Sequence, residues 1–189
     1  GIDEVGRGPI AGPVVVGAFC VAVADSEKVF KELSGITDSK KISEKKREAY
    51  ALKMKNLQNL GLISIAISGV SAKKIDTHGI VFSINAALKS SLQKLQLDPK
   101  EAFIYLDGGL RAPEEFNQET VVKGDSKIWQ IGAASVAAKV ARDQMMVDFG
   151  NKYPGYGFEK HKGYATQFHR ESIKKRGTTD IHRVSWIKA

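Results

Sequence analysis

Residues 1–23 read GIDEVGRGPIAGPVVVGAFCVAV, and the order of features in this stretch decides the fold. Two adjacent acids come first, a glycine-rich turn follows, and an apolar run closes the stretch. The run at 13–23 is rich in β-branched residues and predicts a buried strand. It is too short to cross a membrane. The stretch therefore predicts a sheet with acidic side chains beside one of its turns.

Outward from this stretch, strand patterns alternate with helix patterns, which is typical of an α/β layered fold. Further strands are predicted at 62–67, 102–106 and 119–123, and helices after the N-cap Ser43, after a turn at Asp76–Gly79, and over 131–149 and 165–175. Residues 153–163 predict a loop. We expect a central mixed β-sheet flanked by helices over residues 1–150, and a basic helical appendage over residues 151–189.

The composition is that of an ordinary globular protein, with 42% hydrophobic and 26% charged residues among 189. It excludes disordered, collagenous and disulfide-scaffold proteins. Cys20 is the only cysteine, so an internal disulfide and a cysteine-based zinc site are both excluded, and a cytoplasmic setting is expected. Asp3 and Glu4 stand where a signal peptide would carry positive charge, so we expect no targeting segment and no membrane association.

The formal net charge is +8, and most of it lies near the C-terminus. Residues 151–189 hold nine Lys or Arg and three Asp or Glu, whereas residues 1–150 hold 20 and 18. A basic segment on a nearly neutral body indicates a polyanionic partner such as nucleic acid. The alternative is a basic protein that binds no nucleic acid, and charge alone leaves it open.

Four carboxylates occur at or near predicted strand ends: Asp3, Glu4, Asp107 and Asp125. Sites in open α/β sheets assemble at such ends. Two like charges ~4 Å apart repel by roughly 4 kcal/mol at an effective dielectric near 20, so converging carboxylates need a cation. Oxygen ligands without Cys or His favour Mg²⁺ or Mn²⁺. The alternative is that each Asp only caps a turn.

The turn at residues 6–13 carries Gly6, Gly8 and Gly12, which let the backbone approach a ligand closely. It lacks the GK[ST] of a Walker A loop. It also lacks the preceding strand that a dinucleotide-binding GxGxxG requires. The turn is therefore a candidate binding loop of another kind.

Six blocks in the right order resemble ribonuclease HII, the type 2 ribonuclease H family, over nearly the whole chain. They are GIDEVGRGPIAGPVVVGA at 1–18, TDSKKIS at 37–43, LDGG at 106–109, KGDSKIWQIGAASVAAKVARD at 123–143, YPGYGFEKHKGYAT at 153–166 and DIHRVSW at 180–186. The resemblance implies a ribonuclease H-like fold.

The resemblance also implies roles for residues of this chain. Asp3, Glu4, Asp107 and Asp125 match the four metal-binding carboxylates of the family. Gly6, Arg7 and Gly8 match the motif that reads the ribose 2′-OH, largely through backbone groups. Tyr164 matches the tyrosine that stacks on the deoxyribose after a ribonucleotide. The lysines in segments expected near phosphates are Lys40, Lys41 and Lys162.

The activity implied is that of an endoribonuclease. It would hydrolyse the RNA strand of RNA/DNA hybrids and nick 5′ of single ribonucleotides in duplex DNA, leaving 3′-OH and 5′-phosphate ends. Two metal ions about 3.5–4 Å apart would activate water and stabilise the leaving oxygen. We expect a monomer, and the terminal IHRVSWIKA contains no clear sliding-clamp motif.

Two alternatives remain at this stage. One is a nucleic-acid binding protein without catalysis, although four carboxylates would repel a phosphate backbone. The other is a ribonuclease HIII-type hybrid nuclease, whose extra N-terminal domain would not fit in this chain. Ribonuclease HI is disfavoured because its first two acids are not adjacent.

Other polar residues are expected to serve the structure. A metal-binding role for His161 and His169 is unnecessary beside an all-oxygen site, and His161 is expected near a phosphate or packed in its loop. Asp143 and Asp148 are expected to be solvated or to face the N-terminal side of their helix, outside the site. Asp38 is expected to make a local Asx turn. The sequence offers no account of Trp129.

Overall fold

A five-stranded mixed sheet forms the centre of the computed structural model, which describes residues 1–187. The strands are β1 Ile2–Val5, β2 Val14–Val21, β3 Ile63–Val70, β4 Phe103–Asp107 and β5 Asn117–Val121. Their order is β3-β2-β1-β4-β5. Strand β2 runs antiparallel to β1 and β3, whereas β1, β4 and β5 are parallel neighbours. The predicted central mixed sheet is confirmed.

Helices cover both faces of this sheet. They are α1 Ser26–Glu32, α2 Glu44–Asn59, α3 Ala72–His78, α4 Ile80–Leu95, α5 Trp129–Lys152, α6 Phe158–His161 and α7 Gln167–Arg176. The turn predicted at Asp76–Gly79 was wrong over residues 76–78, because these residues complete α3 and only Gly79, with φ +82°, breaks the helix. The loop predicted at 153–163 also contains the short helix α6.

Each face of the sheet has its own apolar core. On one face, residues of α4 such as Leu88 pack against β1, β2 and β4. On the other face, α2 and the small residues of α5 pack against β2 and β3. A β-carbon on Gly17 would lie 2.6 Å from the carbonyl oxygen of Ala134, so α5 and β2 approach too closely for larger side chains. This close approach explains the small-residue face of α5.

A third apolar cluster joins the C-terminal residues to the end of α5. Its buried members are Ala11, Met146, Tyr156, Phe158 and Ile181. Ala11 also forms an isolated antiparallel bridge with His182. Helix α5 continues past residue 150 to Lys152. The division into segments 1–150 and 151–189 stays a prediction, and Lys188 and Ala189 lie outside the described residues.

Among residues 1–187, no helix combines the length and the apolar character needed to cross a membrane.

Candidate active site

Three of the four predicted carboxylates meet at the centre of the sheet. Ile2 of β1 pairs with Leu106 of the parallel strand β4, so the residues that follow them, Asp3 and Asp107, come side by side. Asp125 joins them from the short 3-10 helix Gly124–Ser126 that follows β5. One carboxylate oxygen from each of the three lies within 4.8 Å of the other two.

The surroundings of this cluster disfavour negative charge in the metal-free protein. Burial is the main cause that raises the pKa of Asp3 to about 7, and the charges of Glu4 and Asp107 act in the same direction, against the hydrogen bonds from Ser135 and the amide of Glu4. Burial also raises the pKa of Asp125, helped by the charges of Asp38 and Asp107. The cluster is therefore strained when ionised, and a bound cation would relieve the strain.

Two backbone amides hold the carboxylates in place. The amide of Glu4 donates to Oδ1 of Asp3 at 2.7 Å, and the amide of Gly124 donates to Oδ1 of Asp107 at 2.7 Å. The three residues supply only oxygen ligands, and no histidine belongs to the group. Oxygen-only donors suit a hard divalent cation, so these residues fit Mg²⁺ or Mn²⁺.

Glu4 lies beside the cluster but outside the group of three. Its Oε1 accepts a hydrogen bond from Nη1 of Arg7 at 3.3 Å. Burial raises the pKa of Glu4, the positive charge of Arg7 opposes that shift, and the charge of Asp107 adds to it. Glu4 is thus electrostatically coupled to the cluster while its side chain is paired with Arg7.

The two glycines of the Gly6-Arg7-Gly8 loop have different surroundings. Gly6 has φ +88°, and a β-carbon there would lie 2.2 Å from Nε of Arg142 and 2.7 Å from the carbonyl oxygen of Pro13. At Gly8 the nearest atom to a β-carbon would be Cε1 of Tyr164, 3.8 Å away, which is an ordinary contact. The fold itself therefore demands glycine at position 6 but leaves open space at position 8.

Arg183, fully buried, binds this loop from below. It donates to the carbonyl oxygens of Gly6 at 2.5 Å, Arg7 at 3.0 Å and Gly12 at 3.0–3.1 Å. A guanidinium can contact several carbonyls because it carries five donors in a fixed plane. Burial lowers the pKa of Arg183 to about 10.

A second fully buried arginine, Arg142 of α5, serves the other half of the loop. It donates to the carbonyl oxygens of Pro13, Ala11 and Lys162 at 2.9–3.2 Å. Within residues 1–187, neither Arg142 nor Arg183 forms an ion pair with a carboxylate. The sequence analysis missed both arginines, although each lies in a block that resembles the family.

The carbonyl oxygens of the loop accept hydrogen bonds from the buried arginines, whereas two of its amides have no protein partner. In the part of the chain that the structure describes, the amides of Arg7 and Gly8 donate to no protein acceptor. Both residues are exposed. Amides that have no protein acceptor, on exposed residues beside the carboxylates, can donate to a ligand oxygen.

The ring of Tyr164, 47% exposed, lies next to Gly8. The loop that bears it is tied to the glycine-rich loop, because the amides of Ile10 and Ala11 donate to the carbonyl oxygen of Gly163 at 3.0 and 3.3 Å. The residues predicted to read the ribose and to stack on the next sugar are therefore neighbours.

The three predicted phosphate lysines have different surroundings. Nζ of Lys41 donates to Oγ of Ser126 at 2.9 Å, and the charge of Lys40 opposes the upward shift in the pKa of Asp125, so both lie near the carboxylates. Nζ of Lys162 instead donates to the carbonyl oxygen of Glu159 at 2.5 Å. The structure brings Lys40 and Lys41 to the cluster and turns Lys162 toward its own loop.

Asp143 is buried rather than solvated, and its side chain faces the N-terminal side of α5, which is the other setting that was expected for it. Its carboxylate contacts Lys139 at 2.7 Å and Arg47 at 3.8 Å, because α2 packs against α5 at this point. Asp148 is exposed, as expected.

Three other residues have a clear structural setting. Asp38 accepts from the amide of Lys40 at 2.9 Å, which confirms its Asx turn. His161 is packed in its loop by a hydrogen bond with the carbonyl oxygen of Tyr156. Trp129 begins α5, and its ring packs against those of Phe19 and Phe30 at 5.5 and 5.6 Å.

The sequence profile of ribonuclease HII matches residues 1–189. The chain belongs to the ribonuclease HII family. It is 40% identical to the ribonuclease HII of Caldicellulosiruptor bescii, over 100% of this chain and 85% of that protein. The predicted family and enzyme class are confirmed, and the chain is a metal-dependent ribonuclease H.

Two solved structures share the fold of the chain. The ribonuclease H2 of Pyrococcus horikoshii matches with a TM-score of 0.78 and 26% identity, covering 98% of this chain and 92% of that one. The ribonuclease HII of Archaeoglobus fulgidus, solved in complex with PCNA, matches with a TM-score of 0.76 and 26% identity, covering 100% and 95%. These matches confirm the ribonuclease H-like α/β fold.

Proposed function

We propose that this ribonuclease H cleaves at the site formed by Asp3, Glu4, Asp107 and Asp125. It hydrolyses the RNA strand of RNA/DNA hybrids and nicks 5′ of single ribonucleotides in duplex DNA, leaving 3′-OH and 5′-phosphate ends. The observation that carries the proposal is the meeting of three carboxylates within 4.8 Å. A binding protein without catalysis would have no use for such a cluster, since it repels phosphate.

The carboxylates would hold Mg²⁺ or Mn²⁺. When bound, two such ions would supply activation of water and stabilisation of the leaving oxygen. The chain contributes fixed positions, because the amides of Glu4 and Gly124 orient the carboxylates of Asp3 and Asp107. Such positioning, together with charge, accounts for most of catalysis in phosphoryl transfer.

Selection of a ribonucleotide would run through the exposed amides of Arg7 and Gly8. The 2′-OH is the one chemical group that distinguishes a ribonucleotide sugar from its neighbours in DNA. The inward hydrogen bonds of Arg183 to the carbonyls of Gly6 and Arg7 support this role, because they fix the direction of the loop.

Tyr164 would offer its exposed ring to the deoxyribose that follows the ribonucleotide. Its closeness to Gly8 supports this placement, since the two readers would contact successive sugars. Lys40, Lys41 and Lys162 would contact phosphates, with Lys162 released from its loop. The charge of residues 151–189, nine basic against three acidic, favours the same polyanion.

The chain is proposed to act as a monomer in the cytoplasm. Its only cysteine, Cys20, supports a reducing compartment. The PCNA complex is a property of the Archaeoglobus fulgidus protein. We identify no clear sliding-clamp motif in this sequence that would support the same partner for this chain.

Cleavage of three matched duplexes tests the proposal: all-DNA, DNA with one ribonucleotide, and a uniform RNA/DNA hybrid. Each is incubated with Mg²⁺, Mn²⁺ or EDTA. We expect a nick immediately 5′ of the single ribonucleotide, cleavage of the hybrid, no cleavage of DNA, and no product in EDTA. Retarded migration of the ribonucleotide duplex without any product in either metal would contradict the proposal and favour binding alone.

A further inference from the structure

Three of the four histidines of the chain form one cluster behind Tyr164. His161, His169 and His182 surround the ring of Phe158, with centroid distances of 5.3–5.9 Å. His169 is fully buried and His182 is 2% exposed. The cluster lies outside the carboxylate site, and its position beneath a candidate substrate-reading residue gives it a function to test.

The hydrogen bonds of the cluster determine which nitrogen carries each proton. The amide of Thr179 donates to Nδ1 of His182 at 2.8 Å, so the proton of a neutral His182 lies on Nε2. That Nε2–H donates to Nε2 of His169 at 3.1 Å. The proton of His169 must then lie on Nδ1, and it donates to the carbonyl oxygen of Tyr164 at 2.8 Å.

His161 holds the neighbouring peptide group in the same way. Its Nδ1 accepts from the amide of Gly163 at 3.2 Å, and its Nε2–H donates to the carbonyl oxygen of Tyr156 at 2.7 Å. Its ring stacks on that of His169, with centroids 4.3 Å apart and planes 16° apart. The backbone on both sides of the Tyr164 amide is thus fixed by an imidazole.

We propose that His169, oriented by His182, is a positioning residue that sets how Tyr164 meets the sugar after a ribonucleotide. This inference rests on the junction-reading role proposed for Tyr164. A chain of hydrogen bonds, called the relay below, runs from the Thr179 amide through His182 and His169 to the Tyr164 carbonyl. The inference attributes the preference for embedded ribonucleotides over uniform hybrids to this relay. The relay exists only while both imidazoles are neutral, since a second proton on His169 would face the Nε2–H of His182.

Burial is the main reason that the relay stays neutral. Burial lowers the pKa of His169, and the hydrogen bond to Tyr164 opposes that shift. With the smaller effects of Arg170, and of His161 and His182 when these are protonated, the pKa of His169 lies at about 4. Burial lowers the pKa of His182 as well, opposed by Asp180 and by the Thr179 hydrogen bond. The relay is therefore intact near neutral pH.

Two substitutions at position 169 separate the two ends of the imidazole. His169→Asn keeps an amide donor where Nδ1 stood, so it preserves the bond to Tyr164. His169→Gln places its amide where Nε2 stood and loses that bond. We expect His169→Gln to lower kcat/KM for the embedded ribonucleotide about tenfold, as the loss of one hydrogen bond would. Its kcat/KM for the uniform hybrid should change little. His169→Asn should recover most of the kcat/KM that His169→Gln loses on the embedded ribonucleotide. The matched control is His78→Asn, because His78 is exposed.

Tyr164→Ala is measured in parallel. If Tyr164→Ala lowers the embedded-to-hybrid ratio of kcat/KM and His169→Gln does not, the relay is refuted while the role of Tyr164 stands. An equal loss of kcat/KM on the embedded ribonucleotide for His169→Asn and His169→Gln would also refute the relay. If Tyr164→Ala leaves the ratio unchanged, the junction-reading role of Tyr164 is refuted, and the relay, which depends on that role, is refuted as well. If the wild type cleaves neither substrate, the proposed function itself fails.

A measurement on the wild-type protein keeps the proposal testable if the variants do not fold. Imidazole ¹⁵N chemical shifts at pH 7.5 report which nitrogen of each histidine is protonated. We expect His169 as the Nδ1–H form and His182 as the Nε2–H form. Finding His169 protonated on Nε2, or on both nitrogens, would overturn the relay.

Discussion

Arg183 donates a hydrogen bond from Nη2 to the carbonyl oxygen of Gly6 at 2.5 Å, across a separation of 177 residues. The same side chain reaches the carbonyls of Arg7 and Gly12. A residue near the C-terminus therefore determines the conformation of the loop that carries the proposed ribose-reading amides. This link joins the first and the last of the sequence blocks that resemble the family.

Arg183→Lys should destabilise the protein and impair cleavage of every ribonucleotide substrate. The three donors of lysine sit on one nitrogen and cannot span the carbonyls that Nε, Nη1 and Nη2 of Arg183 contact, so at least one buried acceptor loses its partner at about 1–3 kcal/mol. Chemical denaturation measures the free energy of unfolding. The control is Arg111→Lys, because Arg111 is exposed. Equal stability of the Arg183 variant and wild type would contradict the role assigned to this side chain.

Alanine substitutions at Gly6 and Gly8 should give different defects. Gly6→Ala should lower the melting temperature, because its β-carbon would overlap Arg142 and because alanine disfavours φ +88°. Gly8→Ala should melt like wild type, since its β-carbon meets only Tyr164 at 3.8 Å. It should nevertheless impair cleavage of both embedded ribonucleotides and hybrids, because the methyl group occupies the approach to the ribose. A fully active Gly8→Ala would show that the ribose is not read there.

The sequence predicted the sheet and the acidic positions because they depend on local patterns. Alternating apolar strands and the carboxylates beside their turns are visible in any short window, as for Asp107 after the apolar run at 102–106. The helix α3 was missed because Asp76-Thr77-His78-Gly79 has the composition of a turn, whereas the buried Ile75 fixes it as a helix by packing.

Long-range polar contacts could not be predicted in the same way. Charged side chains in a helix pattern are expected to face water, yet Arg142 and Asp143 are buried by contacts with the glycine-rich loop and with α2. The same holds for the bond between His169 and His182, which depends on how α7 and the C-terminal residues pack. The 3.6-residue periodicity of a helical sequence does not indicate which distant residues its polar side chains will contact.

Asp3→Asn should stabilise the metal-free protein at alkaline pH. The folded-state pKa of Asp3 is raised to about 7 from the 3.8 of an unfolded chain, so the folded protein holds this proton more tightly than the unfolded chain. The associated stability is present below pH 3.8 and is lost as the pH rises through 7. At pH 8 in EDTA the variant should therefore melt above wild type, with a smaller difference at pH 5.

The melting temperatures of wild type and Asp3→Asn should also be compared in the presence of Mg²⁺. Added Mg²⁺ should raise the melting temperature of the wild type at pH 8 and that of Asp3→Asn much less, since a ligand that binds only the folded state stabilises it. A variant that melts below wild type in EDTA at pH 8 would contradict the electrostatic account of the cluster.

Neutralising Lys40 and Lys41 should weaken substrate binding and reduce its salt dependence. Each phosphate contact contributes a slope of about 0.9 in a plot of log affinity against log salt concentration. Binding is measured at several salt concentrations without divalent metal. Lys45→Gln, at an exposed position on α2, is the control. A slope equal to that of wild type would show that Lys40 and Lys41 contact no phosphate.

The most direct test of the carboxylate site is Asp107→Asn, with both cleavage and binding measured on the single-ribonucleotide duplex. Asparagine keeps the oxygen that accepts from the amide of Gly124 and removes only the charge. We predict nearly complete loss of cleavage, with binding unchanged or tighter because repulsion of phosphate falls, and wild-type behaviour for the exposed control Asp148→Asn. Cleavage by Asp107→Asn within about tenfold of wild type, a barrier change of only ~1.4 kcal/mol, would contradict the account.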